Sequence, residues 1–291
     1  MTDAGRVDGA GAVHPLTAGE ALALAGDAPR QTPWLIVSDF DGTLSPLVMD
    51  PWGATIVPLA RRALRRLAGR PATTVVLLSG RTAADLAARV RVGGARYLGN
   101  HGLETGTLAR YAPAARLRPG PPNGFAAYEA EATGIAAAMP LLVPEPWLVV
   151  EAKSPAVGLH FRSATDLPAA AARVAAAVER LDPEARFERI SGLRMLELRP
   201  PGATTKGDAM AGLLDELRPG FVLALGDDVS DAAAFRVLRD ARAAGAADGL
   251  SLGVQARPVP SPEVVSAADA SLASPREAAR LLWRLATWPV G

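Results

Sequence analysis

Three short apolar runs in this chain each stop at a polar turn, and that repeated grammar restricts the fold more than any other feature. Trp34-Leu35-Ile36-Val37 runs into Ser38-Asp39-Phe40-Asp41-Gly42-Thr43, Thr74 to Leu78 runs into Ser79-Gly80-Arg81, and Phe221 to Leu225 runs into Gly226-Asp227-Asp228. Apolar runs without polar alternation mark strands buried on both faces, which points to a parallel sheet covered by helices on either side. In such sheets ligands collect beyond the carboxyl ends of the strands, so the three polar turns should meet at one edge.

Between and after these runs the pattern alternates with helical segments. Helices are expected at Ile56 to Leu67, Thr82 to Val90, Lys206 to Leu217, Ser230 to Asp240 and Pro275 to Leu285, with further short strands at Tyr97 to Gly99 and near Leu252 and Ala270. From Ala109 onward the alternation breaks. A Pro-rich stretch leads into an Ala-rich helix from Gly124 to Met139, a hairpin of Trp147 to Lys153 and Val157 to Arg162 turning at Ser154-Pro155, a helix from Leu167 to Leu181, and extended runs Phe187 to Ile190 and Arg194 to Leu198. The expected fold class is α/β: a doubly wound, mostly parallel Rossmann-like core sheet (31–109 and 201–291) with an inserted α+β cap domain (110–200). Such an insert is placed to act as a lid over the carboxyl edge. Residues 1–30, rich in Gly, Ala, Asp and Pro, are expected to be mobile apart from one helix at Ala18 to Ala25.

Asp39 and Asp41 are two apart on an extended chain and therefore point the same way. Two negative charges in one small volume repel unless a shared proton or a cation relieves them, and a divalent metal is the simplest relief. Gly42 allows a sharp exit from the strand, and Thr43 offers a hydroxyl and a backbone N–H to an anion. Adding Asp227, Asp228 and Asp231 makes a hard oxygen site suited to Mg²⁺. An EF-hand is excluded because Gly42 comes too early and the closing Glu is missing. Zinc is disfavoured, since the chain has no cysteine and only His14, His101 and His160, widely spaced.

Lysine occurs only at Lys153 and Lys206 among 31 Lys and Arg residues. A chain that uses arginine for generic charge keeps lysine where a compact ammonium is wanted, and Lys206 sits in Thr204-Thr205-Lys206-Gly207-Asp208, at a threonine-capped helix start. Ser79 and Gly80, ahead of another helix start, suit a phosphoryl group through hydroxyl and backbone donors.

Composition removes several classes. Net charge is +1 with arginines dispersed, so no basic stripe for nucleic acid stands out. Arg61, Arg62, Arg65 and Arg66 alternate with Leu59, Ala63, Leu64 and Leu67 at helical spacing and read as a solvated face. No apolar span or basic leader is recognisable, so a soluble cytoplasmic protein without membrane contact is expected. A Gly-x-x-x-x-Gly-Lys-Ser/Thr loop is absent, which disfavours nucleotide-binding modules.

The ordered set Asp39-x-Asp41-Gly42-Thr43, Ser79-Gly80, Lys206 and Gly226-Asp227-Asp228-x-x-Asp231 resembles the four motifs of the haloacid dehalogenase-like phosphatases. Gly99-Asn100-His101-Gly102-Leu103-Glu104, Glu151-Ala152-Lys153, His160-Phe161-Arg162 and Glu197-Leu198-Arg199 are similar to the trehalose-6-phosphate phosphatase branch of that superfamily. The resemblance implies Asp39 as nucleophile, Asp41 as general acid/base, and Lys206 as the catalytic lysine. It implies Asp39, Asp41, Gly42, Thr43, Ser79, Gly80 and Lys206 around the phosphate, and Mg²⁺ held by Asp39, Asp41 (through its backbone carbonyl) and Asp227. Asp228 or Asp231 would orient the metal waters and Lys206. Asn100, His101, Glu151, Lys153, Arg162 and Glu197 would bind the sugar. A monomer is expected, with a small sugar phosphate as substrate and a trehalose-phosphate synthase as partner. The alternatives are another sugar phosphate (sucrose, glucosylglycerol or mannosylglycerate phosphate) or a non-catalytic sugar-phosphate-binding partner of a synthase.

Overall fold

The computed structural model describes residues 14–120, 124–192 and 194–289. They form two compact units, one from the segments up to Gly120 and from Thr204 onward, the other from Pro121 to Ala203.

The first unit opens with α1 (Ala18–Ala25), β1 (Trp34–Ser38), α2 (Pro58–Ala68), β2 (Thr73–Leu78), α3 (Ala83–Val90), β3 (Arg96–Gly99) and β4 (Glu104–Thr107). The second unit carries α4 (Ala126–Leu142), β5 (Val149–Lys153), β6 (Ala156–His160), α5 (Leu167–Leu181), β7 (Glu188–Gly192) and β8 (Met195–Arg199). The chain then completes the first unit with α6 (Lys206–Leu217), β9 (Phe221–Gly226), α7 (Val229–Ala243), β10 (Asp248–Val254), α8 (Pro262–Ala267), β11 (Ala270–Leu272) and α9 (Pro275–Ala286).

Its sheet runs in the order β11-β10-β9-β1-β2-β3-β4, parallel except for β4. Alternate residues of the central strands enter separate cores. Trp34, Ile36, Val75, Leu77, Phe221, Leu223 and Leu225 pack with side chains of α2, α3 and α9. Leu35, Val37, Val76, Leu78, Val222 and Ala224 pack with α6, α7 and α8. Burying each large apolar side chain contributes roughly 1.5–3 kcal/mol, so a one-residue slip would put every one of them in the wrong layer. The register is thereby fixed, with Ser38 opposite Leu77 on one side and Leu225 on the other. As a consequence Asp39, Ser79 and Asp227 leave their strands side by side at the same edge.

Several expectations need correction. The strand β4 and helix α8 were not foreseen: Glu104-Thr-Gly-Thr has no apolar run because it lies at the end of the sheet beyond β3, and α8 spans six residues, too short for a periodic signal. Residues 110–120 stay with the first unit, because Leu117 is buried in the core that holds Leu108 and the Gly120 N–H donates to Thr105 O at 2.8 Å. Of the segment expected to be mobile, 1–13 lie outside the described residues. From His14 the chain is packed, with the Leu16 N–H donating to Ser271 O at 2.6 Å and Ala18 and Ala21 buried behind a Thr17–Glu20 capping box.

The arginines of α2 do more than face solvent. Arg61 donates to the carbonyls of Arg89 and Val90, Arg65 to that of Arg91, and Arg66 to that of Ala286, while Arg70 just beyond the helix donates to Leu285 and Trp288. These are the C-terminal ends of α3 and α9, where carbonyls lack helical partners and cations are favoured. Arg62, Arg65 and Arg66 all stay exposed, so the solvated face holds for those three, and Arg61 alone is half-buried.

In the second unit the sheet order is β5-β6-β8-β7, antiparallel throughout. Val157, Leu159 and Leu198 pack against Ile135 and Met139 of α4 and Val174 and Val178 of α5. By strand alternation Glu151, Lys153, His160 and Glu197 fall on the other face, with Glu151 and Glu197 in one row on either side of Gly158. Among the described residues no helix is long and apolar enough to cross a membrane.

Candidate active site

The backbone after β1 turns back at once. Phe40 O accepts from the N–H groups of Thr43, Leu44 and Ser45, and the Gly42 N–H donates to Ser45 O at 2.8 Å. Gly42 has φ +79°, and a Cβ there would fall inside the Asp227 carboxylate. Gly226 answers to the same demand for space, since a Cβ on it would overlap the carboxyl group of Asp231. Two glycines thus clear the volume in which the acids meet.

Four charged residues are buried there, Lys206 at 3% exposure, Asp231 at 4%, and Asp39 and Asp227 at 6% each. Lys206 Nζ donates to Asp39 Oδ1 at 2.8 Å and to Asp231 Oδ1 at 2.7 Å. Asp231 is itself fixed, because its Oδ2 accepts from the N–H groups of Asp227 at 3.2 Å and Asp228 at 3.1 Å, forming the capping box of α7. The lysine sits at the first position of α6, capped by a threonine as expected, and Asp208 completes a capping box with Thr205. One oxygen from each of Asp39, Asp227 and Asp231 lies within 4.8 Å of the others. Asp227 Oδ2 is buried and makes no hydrogen bond, and the Thr43 hydroxyl approaches Asp227 Oδ1 at 3.5 Å.

Charge bookkeeping explains the titration behaviour. Burial pushes Asp39 up to about 7, Lys206 pulling it down and Asp231 and Asp41 adding to the rise. Asp227 is raised well above the usual carboxylate range by burial, then by Asp39, Asp231 and Asp228, with Arg257 opposing. For Lys206, burial favours the neutral amine, but Asp231 and Asp39 outweigh it and hold the ammonium. Buried oxygens with surplus negative charge and an unbonded lone-pair site fit a hard divalent cation; they are costly without one.

The remaining residues assigned from sequence are distributed as follows. Ser79 is buried, with Oγ accepting from the Arg81 N–H at 3.3 Å, and Gly80 lies against the His101 ring. Asn100 and His101 have φ +50° and +60°, and their N–H groups donate to Arg81 O and Ser79 O. Asp228 caps α7 through its bond from the Val229 N–H, so Asp231 rather than Asp228 holds Lys206. The Asp41 side chain turns to Arg81, whose Nε and Nη2 reach its two oxygens at 2.6 and 2.8 Å. That same guanidinium, buried over the Phe40 ring, donates to Asp85, which also accepts from Arg89.

On the second unit, Lys153 Nζ donates to Glu197 Oε1 at 3.1 Å and lies 3.4 Å from Glu151 Oε2, which is 3.0 Å from His160 Nε2. Burial disfavours the Lys153 ammonium, but Glu197 and Glu151 more than offset this and raise its pKa. Arg162 is half-buried just past β6, and its carbonyl accepts from Arg194. Sequence reasoning gave no role to Arg81, His160 or Arg257. For Arg81 a signal existed in its i, i+4 relation to Asp85; for His160 and Arg257 the partners lie on other strands and loops.

Trehalose-phosphate phosphatase of Mycobacterium tuberculosis is 34% identical over 228 residues, covering 75% of this chain and 54% of that protein. The namesake from Mycobacterium avium is 34% identical over 237 residues, covering 76% and 54%. This chain therefore spans about half the length of the curated relatives it matches. In fold, it resembles the C-terminal domain of the trehalose-6-phosphate phosphatase of C. albicans, with TM-score 0.71, 21% identity, and coverage of 94% of this chain and 98% of that one. The trehalose-phosphatase family profile matches residues 37–111 and 144–276, which include the Asp39, Ser79, Lys206 and Asp227 turns and the Glu151–Lys153 strand, and the chain belongs to that family.

Proposed function

We propose that this protein is a Mg²⁺-dependent phosphatase that hydrolyses trehalose 6-phosphate to trehalose and inorganic phosphate through an aspartyl-phosphate on Asp39. The observation that carries this reading is the buried Asp39–Lys206–Asp231 bridge beside an Asp227 oxygen that accepts no hydrogen bond. Asp39, Asp227 and the Asp41 carbonyl would hold the cation, with Asp231 close by. When bound, Mg²⁺ supplies the positive charge that keeps Asp39 ionised and offsets its repulsion from the phosphate.

A carboxylate needs no base to attack phosphorus, so what this site supplies is charge cancellation and alignment. Asp39 attacks, the bond from phosphorus to the sugar oxygen breaks, and Asp41 gives that oxygen a proton. Water then attacks the aspartyl-phosphate, Asp41 takes its proton, and Asp39 is released with inorganic phosphate. Both Asp41 oxygens accept from Arg81 here, so delivering the proton requires at least one of those bonds to open. Lys206, Ser79, Thr43 and the Gly80 N–H serve the phosphoryl oxygens, while the Gly42 N–H, bonded to Ser45 O, shapes the turn beside them. Asn100, His101, Glu151, Lys153, Arg162 and Glu197 serve the sugar, the carboxylates as acceptors for hydroxyls and the cations as donors.

Phosphate release from trehalose 6-phosphate, with and without EDTA and against sucrose, glucosylglycerol and mannosylglycerate phosphates, tests the reading. Turnover confined to the trehalose ester and lost with EDTA is expected. Equal rates on every ester would remove the substrate assignment, and full activity in EDTA would remove the cation.

A further inference from the structure

Charge around the acidic cluster is offset in part by an arginine from a different loop. Lys206 is shared between Asp39 and Asp231. One oxygen of Asp227 lies within 4.8 Å of one from each of Asp39 and Asp231, and Asp228 follows it directly in the chain. Facing it is Arg257, just beyond β10, the strand next to β9 in the sheet. Its Nη2 lies 3.8 Å from Asp227 Oδ2 and 3.9 Å from Asp228 Oδ2. Those separations are inside the range of Coulomb attraction and outside that of a hydrogen bond. Both Asp227 Oδ2 and Arg257 Nε are buried without a hydrogen-bond partner. A guanidinium made to recognise a carboxylate would dock two-pronged at under 3 Å, as Arg81 does on Asp41. Arg257 is a long-range ion-pair partner to both acids and a hydrogen-bond donor to neither.

We propose that Arg257 is the counter-charge of the cation-free site and sets the affinity for the divalent cation by opposing it. With the cation at Asp227, the same guanidinium becomes a like charge a few ångströms away, and binding must overcome or displace it. The energetics have two sides. Arg257 relieves Asp227 when no cation is bound, which stabilises the empty protein, and it weakens the bound state. The consequence is a site that releases its cation more readily than its carboxylates alone would allow.

This inference rests on the metal-dependent reading above, and the test separates the two. Mg²⁺ is titrated calorimetrically into EDTA-stripped, full-length protein in phosphate-free buffer for wild type, Arg257→Lys, Arg257→Gln, Arg257→Ala and Arg257→Glu, with Asp227→Asn as the non-binding control. Thermal melts of each variant without cation accompany the titrations. The expected result is a monotonic series: Lys within about twofold to threefold of wild type, Gln and Ala about tenfold tighter, and Glu tighter again. Cation-free melting temperatures should fall in the same order. Gln and Ala are isoelectric replacements of different size, so failure of one to fold leaves the other as readout. Identical dissociation constants across the series, or weaker binding in Ala and Gln, would overturn the role of Arg257 while leaving the metal reading intact. No binding by wild type would overturn both.

Discussion

Lys206 stands at the positive end of α6, where a cation is disfavoured by the helix dipole, and it is held there by two carboxylates at under 3 Å. Its neighbours carry a cost in stability. Asp39, pushed up to about 7 by burial, is destabilising when ionised and unliganded. Replacing it with Asn should abolish turnover yet raise the melting temperature of the cation-free protein at pH 8, the trade expected of a strained site. A lower melting temperature would show that Asp39 is held by its lysine more than it is penalised by burial.

The same shift has a pH consequence. With the unfolded carboxyl near 3.8 and the folded one near 7, the folded state holds the extra proton between those limits, so stability from this group falls as pH rises from about 4 to about 7. A divalent cation needs the ionised forms of Asp39 and Asp227 and therefore competes with those protons. Added Mg²⁺ should raise the melting temperature more at pH 8 than at pH 5.5; equal increments at both pH values would contradict the raised pKa values.

At the scale of elements, loops and helix starts are tied together by ion pairs that no single segment displays. Asp41, Arg81, Asp85 and Arg89 form a chain that ends on the carbonyls of Trp52 and Ala54, so the turn after β1, the first turn of α3 and the 46–55 loop are fixed to one another. Arg81 is thereby a positioning residue for Asp41. Arg81→Gln is expected to lower turnover by about 10²-fold with little change in KM, and to cost almost nothing further in an Asp41→Asn background. Additive losses in the double variant would show that Arg81 acts elsewhere. Strong local caps made α1, α5 and α6 legible with the bounds expected, through Thr17, Asp166 with Pro168, and Thr205. Helix α8 and strand β4 were not, since neither carries an apolar period. The α2 arginines do form a largely exposed face, and the carbonyls they also reach went unread because those belong to α3 and α9.

For the whole molecule, each unit buries its own core, and the second has Ala132, Ile135, Met139, Val157, Leu159, Val174, Val178, Phe187 and Leu198 within one cluster. Residues 121–203 expressed alone should therefore fold cooperatively, giving dispersed amide resonances and a single thermal transition. A collapsed spectrum without a transition would mean that the cluster needs the rest of the chain.

What residue order determined by itself was the layered α/β class, the carboxyl-edge address of Asp39, Ser79 and Asp227, and the unusual standing of the two lysines, because periodicity, turn chemistry and composition are local properties. Tertiary structure decided which charges answer one another. Lys206 with Asp39 and Asp231, Arg81 with Asp41, His160 with Glu151 and Arg257 with Asp227 are joined by strand order and loop geometry. Coulomb interactions depend on distance in space, and separation along the chain carries no record of it.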